Sequence, residues 1–199
     1  MIATAQKAPD YAAARRHMIE SQLRTSGIND RFVLDRMKAV PREDYVPEGA
    51  RAAAYVDRQI PLGAGAYLAS PLAHGQILTH ARPTGDDRTL VIGPATGYLA
   101  ALLSPLVAEL RETTPDQVLA GNVDAVFDLV VVDGAVEQVP ESLIATLAPE
   151  GRLVTGMIRK GVTRLEIGRR SGTQIALISL TETQLPRLPA FDKPQGWTF

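Results

Sequence analysis

Leu90-Val91-Ile92-Gly93-Pro94-Ala95-Thr96-Gly97-Tyr98 is the stretch whose reading decides the fold. A short apolar run leads into a bend holding two glycines, and Leu99-Ala100-Ala101-Leu102-Leu103 behind it reads as a helix. This is the layout of a nucleotide-binding strand-turn-helix. Glycine lets backbone approach a ligand without an intervening Cβ. The first amides of the following helix then lack intrahelical partners and point toward that ligand. Alone the signal is weak, since strand-glycine-helix turns also serve as plain connectors, so the rest of the chain has to decide.

Working outward, Asp128-Leu129-Val130-Val131-Val132 is a second continuous apolar run, the pattern of a strand buried on both faces of a parallel sheet. It runs into Asp133-Gly134, at the carboxyl edge where open α/β sheets bind ligands. Asp133 at that edge reads either as a group orienting substrate or cofactor or as the start of an Asp-Gly turn. Residues 140–147 read as a helix, Pro149-Glu150-Gly151 as a turn and residues 152–156 as a further strand. Residues 162–167 and 175–180 read as an antiparallel hairpin joined through Arg170-Ser171-Gly172. Upstream, residues 10–25 carry helical periodicity stopped by Ser26-Gly27, Asn29-Asp30 caps a second helix closed by Pro41, and Pro47 opens a third through Ala54. Residues 55–62 are extended, 63–66 form a loose loop, and Ser70-Pro71 caps a helix from Leu72 to Ala81. Ser70 therefore has an N-cap reading beside any contact with substrate. His74 and His80 share that helix and read as cleft-flanking or surface residues. His17 and the Arg169-Arg170 pair read as solvated, and Trp197 and Phe199 as packing anchors of an extended tail or a cover for a cleft.

The alternation of strands and helices predicts a doubly wound, mostly parallel α/β sheet as one domain over 1–199. Residues 1–54 would be an N-terminal helical addition and 55–199 the sheet with its C-terminal antiparallel hairpin and tail. One side has to be trimmed: 24 residues separate Leu103 from Asp128, whereas a complete βαβ unit takes roughly 30 or more. Residues 106–111 are the candidate strand there, with a short helix from Thr114-Pro115 to Ala120.

Composition narrows the function classes. A hydrophobic content of 45% with 22% charged residues is ordinary for a globular domain. The net charge of −1, with acids and bases interleaved, leaves no footprint for nucleic acid or a membrane surface. The absence of cysteine removes disulfides, thiolate metal sites and a thiol nucleophile, and three scattered histidines argue against a zinc site, so no metal is expected. Met1 to Asp10 lacks the apolar core of a signal peptide and no run has membrane-spanning length, which reads as a cytoplasmic protein.

Several separated stretches together resemble the protein-L-isoaspartate O-methyltransferase family. Met18-Ile19-Glu20-Ser21-Gln22-Leu23-Arg24 is similar to its opening helix. Val40-Pro41-Arg42-Glu43 and Ala54-Tyr55-Val56-Asp57 are similar to its valine-proline-arginine-glutamate and alanine-tyrosine-x-aspartate motifs. Ile60-Pro61-Leu62 with Tyr67-Leu68-Ala69-Ser70-Pro71 resembles its substrate loop, and Gly93 to Tyr98 its motif I for S-adenosylmethionine. Residues 127–140 and 147–154 are similar to its later strands. The resemblance implies a Rossmann-like methyltransferase fold and methyl transfer from S-adenosylmethionine to the carboxylate of L-isoaspartyl residues in damaged proteins. It implies that Gly93, Pro94, Ala95, Thr96, Gly97 and Tyr98 hold the cofactor and that Tyr67, Leu68, Ala69 and Pro71 meet the peptide, with Ser70 and Asp133 as catalytic candidates. Such a reaction needs no general base, because a carboxyl with a pKa near 4 is already ionised at neutral pH. The chain departs from the family pattern at Val91, where an acid is usual, at Ala95, where glycine is usual, and at Ala69, where the active-site serine falls. The short 104–126 segment also has to supply the acid for the cofactor ribose, from Glu109 or Glu112. These departures motivate a second reading, a methyltransferase fold that binds partners without catalysis. An NAD-binding Rossmann domain is a third, disfavoured because a full G-x-G-x-x-G is missing.

Overall fold

The computed structural model describes residues 10–94 and 96–194. Asp10 caps helix α1 (Tyr11–Met18) through its side chain, which accepts from the amide of Ala13. The helical path continues through a wider π turn over Ile19–Leu23 and a tight turn over Arg24–Ser26. Gly27, at a left-handed φ of 89°, ends it where a Cβ would be strained. Helix α2 (Arg31–Ala39) follows, then two short 3-10 turns at Arg42–Tyr45 and Glu48–Ala53. The first of these was not legible in the sequence. Strands β1 (Ile60–Gly63) and β2 (Ala66–Leu68) form a separate antiparallel hairpin, so the stretch read as a loose loop is a tight turn over Ala64-Gly65. Helix α3 (Pro71–Ala81) starts on Ser70, whose hydroxyl accepts from the amide of Ala73.

The main sheet is built from β3 (Arg88–Ile92), β4 (Glu109–Thr113), β5 (Phe127–Val136), β6 (Leu147–Arg159), β7 (Val162–Ser171) and β8 (Gln174–Glu182). Between them lie α4 (Tyr98–Leu103), α5 (Pro115–Leu119) and α6 (Glu141–Ala145). The strand order is β4-β3-β5-β6-β7-β8, parallel from β4 to β6 and antiparallel beyond. Successive residues of the central strands feed two cores. Val91, Leu129, Val131 and Val154 pack toward α3 and α4, while Leu90, Ile92, Val130, Val132 and Leu153 pack with Val118, Leu143 and Phe191 on the other face. That is why these strands read as unbroken apolar runs.

Three local expectations need correction. The strand in 104–126 is displaced: Leu106 lies in a 3-10 turn and β4 begins at Glu109. The segment holds one edge strand and one short helix, so the sheet is trimmed there. No Asp-Gly turn forms at Asp133-Gly134, because β5 continues to Val136. The turn at Pro149-Glu150-Gly151 is present but inside β6, as an irregularity between the pairs Phe127↔Leu147 and Leu129↔Arg152.

The continuation of β5 has a non-local cause. Ala135 and Val136 still pair with Gly156 and Met157 of β6, and on the other edge of β5, beyond the end of β3, the amide of Ala135 donates to the carbonyl of Pro186 at 2.7 Å and the amide of Leu188 donates to the carbonyl of Ala135 at 2.9 Å. The tail thus adds a parallel bridge at Ala135↔Arg187. Trp197 and Phe199 lie outside the described residues. Leu188 seats on Gly134, where an added Cβ would stand 2.5 Å from its Cγ. Gly134→Ala should therefore lower stability by about 1–3 kcal/mol through overpacking. In urea titrations, Leu188→Ala combined with it should cost less than the sum of the two single changes.

Candidate active site

Arg42 is wholly buried, and its burial organises the region. Its Nε donates to the carbonyl of Ala54 at 2.8 Å, and one terminal nitrogen donates to the carbonyl of Ala69. The other terminal nitrogen meets Nδ1 of His74 at 3.1 Å, and the guanidinium lies 4.9 Å from the ring centroid of the buried Tyr98. A guanidinium only donates, so Nδ1 of His74 must accept. The proton of the imidazole is then on Nε2, which donates to Oδ1 of Asp133 at 3.1 Å. Burial pushes the His74 pKa down and adjacent Arg42 adds to that, while Asp133 opposes it. The imidazole is a neutral link between a buried cation and a buried carboxylate. His74 is therefore neither a surface residue nor a cleft wall, which corrects both readings made of it.

The neighbouring motif residue faces a different group. Glu43 accepts from Arg15 at 3.0 Å and from the hydroxyl of Tyr55, and Nε of Arg15 donates to that same hydroxyl at 2.7 Å. Arg42 thus ties the N-terminal region to α3 and, through His74, to β5, while Glu43 at the next position ties α1 to Tyr55. Asp57 of the alanine-tyrosine-x-aspartate stretch accepts from the amide of Leu72 at 3.0 Å and so helps Ser70 cap α3.

The turn after β3 sits at the carboxyl edge of the sheet. The amide of Gly93 donates to the carbonyl of Thr113 at 3.1 Å, and a Cβ on Gly93 would stand 2.9 Å from the Cβ of Asp133. Gly97 has a φ of 76°, and the hydroxyl of Thr96 accepts from the amide of Tyr98 at 3.3 Å. A cleft of about 290 Å³ opens beside Gly93 and Pro94, walled by Tyr67 of the β1–β2 hairpin, Thr114 to Asp116 and Pro186 to Pro189 of the tail. Of the substrate-loop residues, Tyr67 is 42% exposed, whereas Leu68, Ala69, Ser70 and Pro71 are buried. Ser70 has its hydroxyl engaged at α3 and lines a different cavity from Gly93. Asp133 comes against Gly93, but its Oδ1 is taken by His74.

Two acids competed for the place beside this turn, and position separates them. Glu109 starts β4, at the far end of the strand, and pairs with Arg88 at 3.3 Å. Glu112 lies near the carboxyl end of β4, opposite Val91. Its side chain keeps much of its surface in solvent, yet its carboxyl pKa is pushed up. Partial desolvation is the main cause, Asp133 adds to it, and the backbone N–H of Gly97 opposes it. Glu112 thus stands on the strand beside β3, one residue before Thr113, whose carbonyl receives the amide of Gly93 in the motif turn.

A parallel sheet with a glycine turn after one strand and a carboxylate at the end of its neighbour places the protein in the Rossmann-like α/β class. A family model described as protein-L-isoaspartate(D-aspartate) O-methyltransferase matches residues 13–114. The protein-L-isoaspartate O-methyltransferase of Methylorubrum extorquens is 34% identical over 170 residues, covering 73% of this chain and 75% of that protein. Its counterpart from a Roseiflexus species is 35% identical over 170 residues, covering 73% and 78%. A Plasmodium falciparum crystal structure, described as a protein-L-isoaspartate O-methyltransferase in complex with S-adenosyl-L-homocysteine, superposes with a TM-score of 0.68. That alignment covers 90% of this chain and 98% of the other at 17% identity, a likeness of fold. The chain belongs to the protein-L-isoaspartate O-methyltransferase family.

Arg42 and His74 were missed as site residues by sequence reasoning. Arg42 carried a signal, as one of two charged members, with Glu43, of a motif otherwise read for its proline. His74 carried none, because one histidine on an apolar helix gives no hint of a carboxylate 59 positions away. Stability should depend on pH accordingly. A histidine held neutral, with its folded pKa below the unfolded value of about 6.5, contributes stability that is full above that value and lost as pH falls through the folded pKa. His80, also shifted down, contributes in the same sense. Urea unfolding of His80→Gln should still show stability falling below pH 6.5, approaching about 1.4 kcal/mol per pH unit for the one proton taken up on unfolding.

Proposed function

We propose that the protein transfers a methyl group from S-adenosylmethionine to the carboxylate of L-isoaspartyl residues in damaged proteins. The observation that carries this reading is the place of Glu112 near the carboxyl end of β4, which supplies an acid on the strand paired with β3 where β3 itself offers only Val91. A nucleoside with a ribose diol asks for a carboxylate at the end of the second strand and a glycine-lined approach at the end of the first. Glu112, Gly93 and Gly97 fit that requirement, and the cleft beside Gly93 and Pro94 is where adenosine and amino-acid ends would lie. Pro94 removes one backbone donor from the turn, so more of the hold falls on side chains.

When bound, the cofactor supplies an electrophilic methyl on a sulfonium. The protein's work is then alignment. Tyr67, the exposed member of the substrate loop, stands at the cleft mouth and orients the peptide. Leu68 and Ala69 are buried and hold the loop, with the Ala69 carbonyl fixed by Arg42. Asp133, fixed by His74, sets the floor against Gly93. An ionised nucleophile needs no proton removed, and proximity alone accounts for large accelerations. Ser70 acts through its cap on α3, holding the loop in place. On the same footing we place the activity in the cytoplasm, in keeping with the cysteine-free, evenly charged composition; no helix among the described residues is long and apolar enough to cross a membrane.

Incubation with labelled S-adenosylmethionine and an isoaspartyl peptide should give base-labile methyl ester above a heat-killed control. Transfer no greater than that control overturns the assignment. Removing the Glu112 charge-assisted contact costs roughly 1.5–3 kcal/mol. Glu112→Gln should therefore raise the dissociation constant for S-adenosylhomocysteine by about tenfold to a hundredfold in calorimetric titration.

A further inference from the structure

A second cavity, of about 520 Å³, opens on the same carboxyl edge of the sheet as the cleft, at the ends of β6 and β8 and the start of β7. It adjoins the cleft along the chain: Ser70 and Leu185 line the cavity, while Tyr67 and Pro186 line the cleft. Its polar lining comes chiefly from Asp57, Gln59, Gln76, Glu182, Thr183 and Gln184, and no lysine, arginine or histidine contributes to it. The acids are lightly engaged. Asp57 accepts one bond, from the Leu72 amide, and Glu182 meets Arg164 at 3.2 Å with both side chains more than half exposed, a geometry of small energetic worth. The amide group of Gln76 has one long contact, 3.5 Å to the carbonyl of Glu182, and its Oε1 has no partner. The lining is therefore rich in acceptors and negative. The cavity at the opposite edge of the sheet is the reverse, with Arg82, Arg152 and Arg169 around it, and the cleft beside Gly93 includes Arg187, so the acidic lining belongs to this cavity.

We propose that this cavity is a subsite for a lysine or arginine side chain flanking the isoaspartyl residue, so that the protein selects damaged sites in basic surroundings. The inference rests on the methyl-transfer reading for the presence of the peptide, and adds the kind of sequence it carries. An extended chain crossing from Tyr67 past Ser70 would place a neighbouring residue between Asp57 and Glu182. Two carboxylates, half-buried Asp57 and exposed Glu182, attract a cation there and repel an acid, by a few-fold each in affinity and less at high salt.

The test uses labelled isoaspartyl hexapeptides in which one flanking position at a time is lysine or glutamate, with binding read by fluorescence anisotropy at low and high salt. At one flank or more, the lysine peptide should bind at least about fivefold more tightly than the glutamate peptide. Glu182→Lys, a change at an exposed rim position, should abolish or invert that ratio. Equal binding at every position, or a ratio untouched by Glu182→Lys, overturns the subsite. Methyl transfer measured on the same peptides separates the two readings. A charge preference in binding without transfer leaves the subsite standing and removes the reaction, while transfer with no charge preference does the opposite.

Discussion

The burial of one arginine is the constraint on which the rest of the structure depends. A guanidinium in a protein interior costs several kcal/mol unless its donors are used and its charge is answered. Arg42 meets both conditions by drawing in groups from five segments: carbonyls from the ends of two loops, the ring of Tyr98 at the start of α4, His74 on α3 and, through it, Asp133 on β5. None of these contacts is local in sequence. Satisfying a single side chain therefore fixes where the N-terminal helices sit on the sheet, where the substrate loop ends, and how the carboxyl end of β5 faces the motif turn. The cleft beside Gly93 inherits its geometry from that arrangement.

What was legible in the sequence was whatever depends on periodicity or on a residue's own backbone. The apolar runs at 90–92 and 128–132, the Ser70 cap, the Gly27 stop and the β7–β8 hairpin all fall where the pattern puts them. What could not be read depends on partners far away along the chain. β5 continues through Asp133-Gly134, a pair whose local chemistry favours a turn, because Ala135 and Val136 pair with Gly156 and Met157 of β6 and the tail hydrogen-bonds to Ala135 from Pro186 and Leu188. The start of β4 is set by pairing with β3, so Leu106 and Val107, apolar enough for a strand, fall outside it. The site shows the same division. The glycine turn and an acid for the neighbouring strand were within reach, the latter narrowed to two glutamates that only the direction of β4 could separate. The Arg42-His74-Asp133 link was not, since a buried polar network has no periodic signature.

The family motifs also acquire separate physical reasons. In Val40-Pro41-Arg42-Glu43, arginine and glutamate serve two different buried clusters, so exchanging their order would disable both. In Ala54-Tyr55-Val56-Asp57, the alanine carbonyl receives Arg42, the tyrosine hydroxyl receives Arg15 and the aspartate caps α3. Much of what identifies the family in this chain is scaffold around the cleft. The resemblance holds at Arg42, Glu43 and Asp57, while the departures at Val91 and Ala69 fall on buried core positions.

The parallel bridge between Ala135 and Arg187 has a kinetic consequence. Its two sides lie fifty-two positions apart, with β6, β7 and β8 between them, and closing so long a loop is entropically unfavourable until the intervening strands have docked. The wall that Pro186 to Pro189 adds to the cleft is then among the last parts of the fold to form, and the first to be lost in partial unfolding. A nascent or partly opened chain would hold a complete sheet and an assembled arginine network while the ligand-facing edge stayed open to water.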